Sequence, residues 1–580
     1  MIRHPALRPA FAALACLAAA LAGCAPRGDC DGVLGRAPVY DLLVRGGNVV
    51  DGTGSPWFRG DVLVCGDRIA AVGALPGARA RDTLDATGMV VAPGFIDMLG
   101  QSEYTLLRDG RAVSKVTQGI TSEITGEVTS VVPVNEATLR GLGPADRERT
   151  RWTDLDGYFR ELERSGTAIN VGTFVAVGSL RQYVMGGADR APTPAELARM
   201  KGLVSEAMEQ GAMGVSAALI YPPASSAGPE ELAALAGVAA SYGGGYATHL
   251  RSEGDRLLEA LDEAISVGER SGAWVQVHHL KAAGHRNWDK VGEALARIER
   301  ARARRVDVAA DQYPYAASST GLATVLPDWA NAGGTDSLLA RLARPAVRDT
   351  LRAYLRARWA DWHAGADSTG PGSVRIAGVQ DPMLEEYVGR RLSEVAGERG
   401  MAPEDLFLEM VRLDGGRTSA TFFSMSEAGV DEIMRRPWVS VGVDAGATVP
   451  RPGNSFRPHP RTFGTFPRIL CRYVRERGVL PLEEAVRKFT SLPAARVGLD
   501  DRGVLKAGLH ADLVVFDPST VCDHATFQEP AQLSTGVRHV VVNGAPVLRG
   551  GVLTGALPGR GLRRGRGVPR SPSPRTSPDA

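Results

Sequence analysis

The chain has 580 residues, of which 44% are hydrophobic and 23% charged, and its formal net charge is +2. That length suits one large α/β unit with an added domain. The near-neutral balance leaves no electrostatic footprint for nucleic acid, so no nucleic-acid partner is expected.

Arg3 and Arg8 precede an apolar run from Phe11 to Leu21, an export-signal pattern too short to span a bilayer. The run ends Leu21-Ala22-Gly23-Cys24, which resembles the bacterial lipoprotein cleavage box. The resemblance implies a signal peptide over 1–23, a lipid on Cys24 and a linker over 24–39. The product would be an exported lipoprotein, membrane-anchored and facing the periplasm or cell exterior. A plain signal peptide followed by an unmodified cysteine is the alternative. Cys16 and Cys24 belong to this leader, while Cys30, Cys65, Cys471 and Cys522 are scattered without metal-ligand spacing and are expected as isolated buried thiols.

From Tyr40 the chain alternates β-formers with turn residues, and Asp61 to Val72 predicts a hairpin around Gly66-Asp67. A matching β-rich set lies at Ala511–Asp517 and Val537–Gly544. Two such ends predict one small β-sandwich domain built from 40–92 and 500–556. Between them strands and helices alternate. Gly244–His249 is strand-like, Glu253–Arg270 carries Leu257, Leu258, Leu261 and Ile265 on one helical face, and Ala273–His279 is the next strand. This succession predicts an α/β fold, a TIM-like (β/α)8 barrel over 93–499, with a helical insertion near 330–400. From Leu557 onward, Arg560, Arg563, Arg564, Arg566, Arg570 and Arg575 sit among Gly, Pro and Ser, so 557–580 is expected to be a disordered basic tail.

Strand geometry ranks the histidines. In Val275-Gln-Val-His-His279, Val275, Val277 and His279 share one face, and Trp274, Gln276 and His278 the other. Tryptophan suits the helix layer, so His279 is expected to point inward and His278 outward, with His249 as the neighbour of His279. The pair is half of a zinc site or simply two structural histidines. Asp444 closes the apolar strand Val439-Ser-Val-Gly-Val, which is costly unless it is paired or ligates something. Its candidate roles are an N-cap for a following helix or a base acting on a metal-activated water.

At this point a family resemblance becomes specific. The matching segments are Val90–Asp97, Ser114–Thr121, Tyr246–Arg251, His279–Lys281, Asp311–Tyr315, Gly442–Asp444, His459–Arg461 and Ala511–Asp517. They resemble the D-aminoacylase (N-acyl-D-amino-acid deacylase) branch of the amidohydrolase superfamily. The resemblance implies hydrolysis of the amide of an N-acyl-D-amino acid, a non-peptide carbon–nitrogen bond in a linear amide. It implies zinc ligation by His249 and His279 and a base at Asp444. It also implies that Lys281, Tyr313 and Arg461 hold the substrate carboxylate, a task suited to fixed positive donors.

Two departures matter. Where the family has His-x-His after its Gly-Phe-Ile-Asp run, this chain has Leu99-Gly100-Gln101 after Gly94–Asp97. Where the family places its zinc-binding cysteine in Gly-Asn-Cys-Gly, this chain has Gly126-Glu-Val-Thr129. Glu127 is the replacement ligand the segment offers, completing a His-His-Glu set, or else a loop carboxylate in a salt bridge. The metal count expected is therefore one zinc per chain. Gln101 or Ser102 is a candidate donor to the oxyanion. The competing readings are a dipeptidase or cyclic-amide hydrolase of the same superfamily, and a catalytically inactive lipid-anchored binding protein.

Overall fold

The structure, a computed structural model, describes residues 39–360, 370–450 and 456–565. The leader and Cys24 lie outside the described residues, as does most of the linker. Among the described residues no helix is long and apolar enough to cross a membrane.

Eight parallel strands form the central unit. They are β1 (Phe95–Asp97), β2 (Ile120–Thr125), β3 (Asn170–Thr173, continued by Val175–Ala176), β4 (Gly214–Ala218), β5 (Gly245–His249), β6 (Trp274–Val277), β7 (Val308–Gln312) and β8 (Val439–Val441). Each strand pairs with the next, β7 pairing directly with β8. The ring closes between β8 and β1. Met98 N–H donates to Val441 O at 3.1 Å, Asp444 N–H donates to Leu99 O at 2.8 Å, and Gly100 bridges Ala445 in parallel. Helices pack outside; that over Leu257–Ser271 buries Leu257, Leu261 and Ile265 against the strands. The fold is therefore the expected TIM-like barrel, whose C-terminal strand ends form one open face.

The chain ends build one nine-stranded sheet from Tyr40–Val49, Phe58–Cys65, Arg68–Gly73, Ala80–Asp85, Val90–Pro93, Leu513–Phe516, Val537–Val542, Ala545–Arg549 and Val552–Leu553. The predicted hairpin is present, with Cys65 opposite Arg68. Tyr40–Val49 is the hinge of the sheet: its first half pairs with Ala80–Asp85 and its last residues with Val90–Val91. Leu42 and Val64 from the N-terminal strands share one buried cluster with Leu513 and Val541 from the C-terminal ones.

Three expectations need correction. The insertion is wider than 330–400 and is not purely helical: a three-stranded antiparallel sheet of Ser318–Gly321, Ser419–Phe422 and Val374–Gly378 carries its helices. These strands are short and partly polar, so they leave little periodic signal. The basic tail is ordered through residue 565. Val171 bridges Gly561, Leu562 enters the apolar cluster at the barrel base beside Ile124 and Met213, and Arg563 pairs with Asp156. One buried leucine and specific acceptors outweigh a disorder-prone composition. Finally, Cys471 and Cys522 are not isolated thiols but a disulfide, and Cys65 is disulfide-bonded as well.

Candidate active site

The open face of the barrel gathers almost every residue singled out from the sequence. His249 is the last residue of β5, and Glu127, His279, Tyr313 and Asp444 follow the ends of β2, β6, β7 and β8. Glu127 can stand where it does because Gly126 precedes it with φ 95°; a Cβ there would lie 2.6 Å from Phe174 O.

Glu127 Oε1 lies 3.3 Å from His249 Nδ1 and 3.0 Å from His279 Nε2, and all three side chains are buried. Burial would raise the Glu127 carboxyl, but hydrogen bonds from both imidazoles reverse that and hold it well below its usual range. Among the described residues the ionic partners of Glu127 are these two imidazoles and no Lys or Arg, so the salt-bridge reading and the ligand reading fall on the same three side chains.

His279 faces the site for a reason other than the expected one. Val275 packs on the helix layer, where it meets Gly268 of the Leu257–Ser271 helix. Trp274 packs against the barrel-base cluster and Gln276 donates to Asp311 inside the barrel, so their face is the interior one. His278 therefore points inward, not outward, and its Nδ1 lies 2.8 Å from Asp311 Oδ2. His279 reaches Glu127 and His249 because the strand ends at Val277 and its own φ is +36°. Few residues other than glycine adopt that region, His and Asp more readily than most, and such conformations concentrate at functional positions. Asp444 shows the same feature, with φ +54°. Strict alternation fails where the backbone leaves the β region.

Asp444 is no N-cap, since the next helix among the described residues begins at Arg461. Its Oδ2 lies 2.6 Å from Arg461 Nη1, and its Oδ1 accepts from Gln101 Nε2 at 2.8 Å. Burial raises the Asp444 carboxyl above its ordinary value despite Arg461, and the negative Glu127 nearby adds to the rise. Arg461 also stacks over Tyr313 at 4.7 Å. The Tyr313 hydroxyl and Arg461 Nε are buried with no hydrogen-bond partner among the described residues.

Lys281 is more engaged than a free carboxylate binder. Its Nζ pairs closely with Glu253 and lies 2.8 Å from His279 Nδ1. Glu253 was missed from sequence. It sits four residues after His249, with Oε1 2.9 Å from His279 Nδ1 and Oε2 3.5 Å from His249 Nε2. Burial would raise its carboxyl, but His249, Lys281 and His279 hold it below the usual range.

Lys115 and Glu123 were also missed. Lys115 Nζ, wholly buried, lies 2.6 Å from Asp97, 3.2 Å from Glu123 and 2.7 Å from Ala445 O. Asp97 Oδ1 accepts from Val443 N–H at 2.8 Å, and Ser102 Oγ links Glu123 to Ala447 N–H. This network fixes the loop that carries Asp444. The signal available in the sequence was a lysine within an apolar helix-like run, which reads equally as surface.

With this geometry established, comparison with known proteins becomes decisive. The model of an amidohydrolase family matches residues 82–548. The chain belongs to the amidohydrolase family. Within it the chain falls in the D-aminoacylase branch. It is 37% identical to a D-aminoacylase of Alcaligenes xylosoxydans xylosoxydans, over 90% of this chain and 98% of that protein. It is 36% identical to an N-acyl-D-glutamate deacylase of the same organism, over 92% and 98%. Among solved structures, an N-acyl-D-glutamate deacylase from Bordetella bronchiseptica, complexed with zinc and a phosphonate mimic of the tetrahedral intermediate, superposes with a TM-score of 0.75 at 33% identity, covering 90% of this chain and all of that one. A D-aminoacylase structure concerned with a binuclear metal centre, one-metal activation and second-metal attenuation matches with a TM-score of 0.74 at 35% identity, again over 90% and all of the two chains.

Proposed function

We propose that this amidohydrolase removes the acyl group from N-acyl-D-amino acids, with one zinc ion held by Glu127, His249 and His279. The donor set suits zinc: one carboxylate oxygen and two imidazole nitrogens converge from different strand ends, all buried, with ligand atoms within 4.8 Å of one another. That convergence is the observation carrying the proposal. Zinc bound there would supply Lewis-acid polarisation of the scissile carbonyl and acidification of water.

The chain's own residues do the rest. Asp444 accepts a proton from the attacking water at its carboxylate and returns it to the departing amide nitrogen, a role favoured by a carboxyl raised by burial. Arg461 and Tyr313 receive the substrate carboxylate, and Lys281, paired with Glu253, adds its positive charge beside the Tyr313 ring. The Tyr313 hydroxyl and Arg461 Nε are buried donors without a hydrogen-bond partner among the described residues, which a substrate acceptor would satisfy. Asp311 holds His278 and the His279 backbone N–H at 2.8 Å each, which fixes the ring that carries Nε2. Preference for the D-configuration rests on the relatives, whose names specify D-aminoacyl, D-glutamate and D-aspartate substrates.

Zinc content and turnover of the wild type beside Glu127→Gln test this reading. The wild type is expected to carry about one zinc and to hydrolyse an N-acyl-D-amino acid, and the variant to lose most of both. Unchanged metal in the variant removes Glu127 from the ligand set, and a folded, metal-free, inert wild type supports the binding-protein reading instead.

We also propose export with a lipid on Cys24. Its support is the leader pattern together with the disulfide-bonded Cys65, Cys471 and Cys522, which suit an oxidising compartment. Loss of membrane-fraction association in Cys24→Ser is the expected result; retention would sink the lipid assignment.

A further inference from the structure

Gln101 follows β1 at the mouth of the barrel, in the second of the two places where the family pattern has histidine, and its single side-chain nitrogen touches two carboxylates. Nε2 donates to Asp444 Oδ1 at 2.8 Å and to Glu127 Oε2 at 3.1 Å. The remaining oxygens are already committed: Glu127 Oε1 to the two imidazoles, and Asp444 Oδ2 to Arg461. A primary amide nitrogen carries two N–H donors. Two acceptors on one such nitrogen match that chemistry without remainder.

Two carboxylates held this close repel unless something positive or hydrogen-bonding lies between them. A second cation is one solution, but this chain has not kept ligands for it. Leu99, the other altered position, is apolar and 1% exposed. Lys115 cannot serve as a mobile cation, because its ammonium is taken by Asp97, Glu123 and Ala445 O. Among the described residues the groups able to hold a metal are Glu127, His249 and His279, and a second set that includes both disulfide cysteines Cys471 and Cys522.

We infer that Gln101 is a positioning residue that joins ligand to base, its neutral amide doing between Glu127 and Asp444 what a second metal ion would otherwise do. The inference rests on the function proposed above: with Leu99 and Gln101 where the family pattern has histidines, and the amide bridging Glu127 and Asp444, the site is committed to one metal. Glutamine is specific to the task. Leucine cannot donate, and glutamate would add a third negative charge at the same point.

The test uses the full chain loaded with excess zinc and then freed of unbound metal. Zinc per chain, thermal unfolding midpoint, kcat and KM are measured for the wild type, Gln101→Leu and Gln101→Glu. Both variants are expected to stay folded, with a midpoint at or below that of the wild type, since each removes hydrogen bonds to two buried carboxylates. The wild type should hold about one zinc. Gln101→Leu should still hold one, because the three ligands remain, with KM within about twofold and kcat lowered about 10- to 100-fold, the usual worth of a hydrogen bond to a charged group. Gln101→Glu should take up a second zinc, its extra charge now inviting the cation. Two zinc ions on the wild type, one on Gln101→Glu, loss of zinc from Gln101→Leu, or unchanged kcat in Gln101→Leu would each overturn the inference. A wild type with one zinc that is inert on every N-acyl-D-amino acid would refute the proposed reaction, while the zinc counts would still decide the role of Gln101.

Discussion

Lys115→Met should be among the most destabilising single changes in this barrel. The ammonium is completely buried between two completely buried carboxylates, Asp97 at 2.6 Å and Glu123 at 3.2 Å. At an effective dielectric near 20 each attraction is worth about 5 to 6 kcal/mol gross, and most of that offsets the desolvation of the three charges. Removing only the cation keeps the desolvation and deletes the attraction, so the expected loss is about 3–5 kcal/mol. Methionine fits the length of the stem, which keeps cavity formation small. Urea unfolding, followed by a signal from the barrel, measures the loss. The deficit should also depend on pH with a definite sign. Burial already raises Glu123 above its ordinary value, and Lys115 is the main influence opposing that rise. Without Lys115 the folded carboxyl rises further, so the folded variant holds a proton that the unfolded chain has released. Its stability then falls as pH rises above the unfolded carboxylate range, and the deficit is larger at pH 8 than at pH 5. Adding Glu123→Gln to the variant should recover part of the loss. A deficit under about 1 kcal/mol, or one that grows on acidification, would refute the buried-triad reasoning.

Two shorter expectations concern the metal support and the barrel base. Asp311→Asn should weaken zinc binding about 10- to 100-fold, because Asp311 holds both His278 and the His279 backbone; competition with a chromogenic chelator reads the change, and wild-type affinity would show that His279 needs no such support. Leu562→Ala should cost about 2–5 kcal/mol, since Leu562 is 4% exposed within the base cluster; an unchanged unfolding midpoint would mean that the C-terminal segment is not part of the folded barrel.

The barrel was legible because its signals are local and repeated: apolar strands, one-sided helices and short connections each carry their own periodicity. The ordered tail and the insertion sheet were not, because Leu562 and the strand Ser419–Phe422 gain their stability from partners far away in the chain. The candidate site divides the same way. His249 and Asp444 stand out because a titratable group closes an apolar strand. Glu253 and Lys115 carry no such mark, since each becomes meaningful only through a partner brought to it by barrel closure. Gln101 is marked by the missing histidine but expected as an oxyanion donor, and its real partners Glu127 and Asp444 come from other strand ends.

His279 is the sharper lesson, because the right residue was reached through the wrong face. Period-two alternation holds only while the backbone stays extended, and β6 ends two residues before His279. The turn to φ +36° carries its ring from the helix side to Glu127, while His278 stays on the interior face and binds Asp311. Asp444 makes the same turn beyond β8. Both residues that these two strands bring to the open face thus occupy backbone that disfavours L-residues, and each is held there by bonds across the barrel: Asp311 to the His279 N–H, and Leu99 O to the Asp444 N–H. The strain is local, but its restraint comes from the neighbouring strands β7 and β1. The site's geometry is therefore a property of the closed ring, and no reading of single strands would have supplied it.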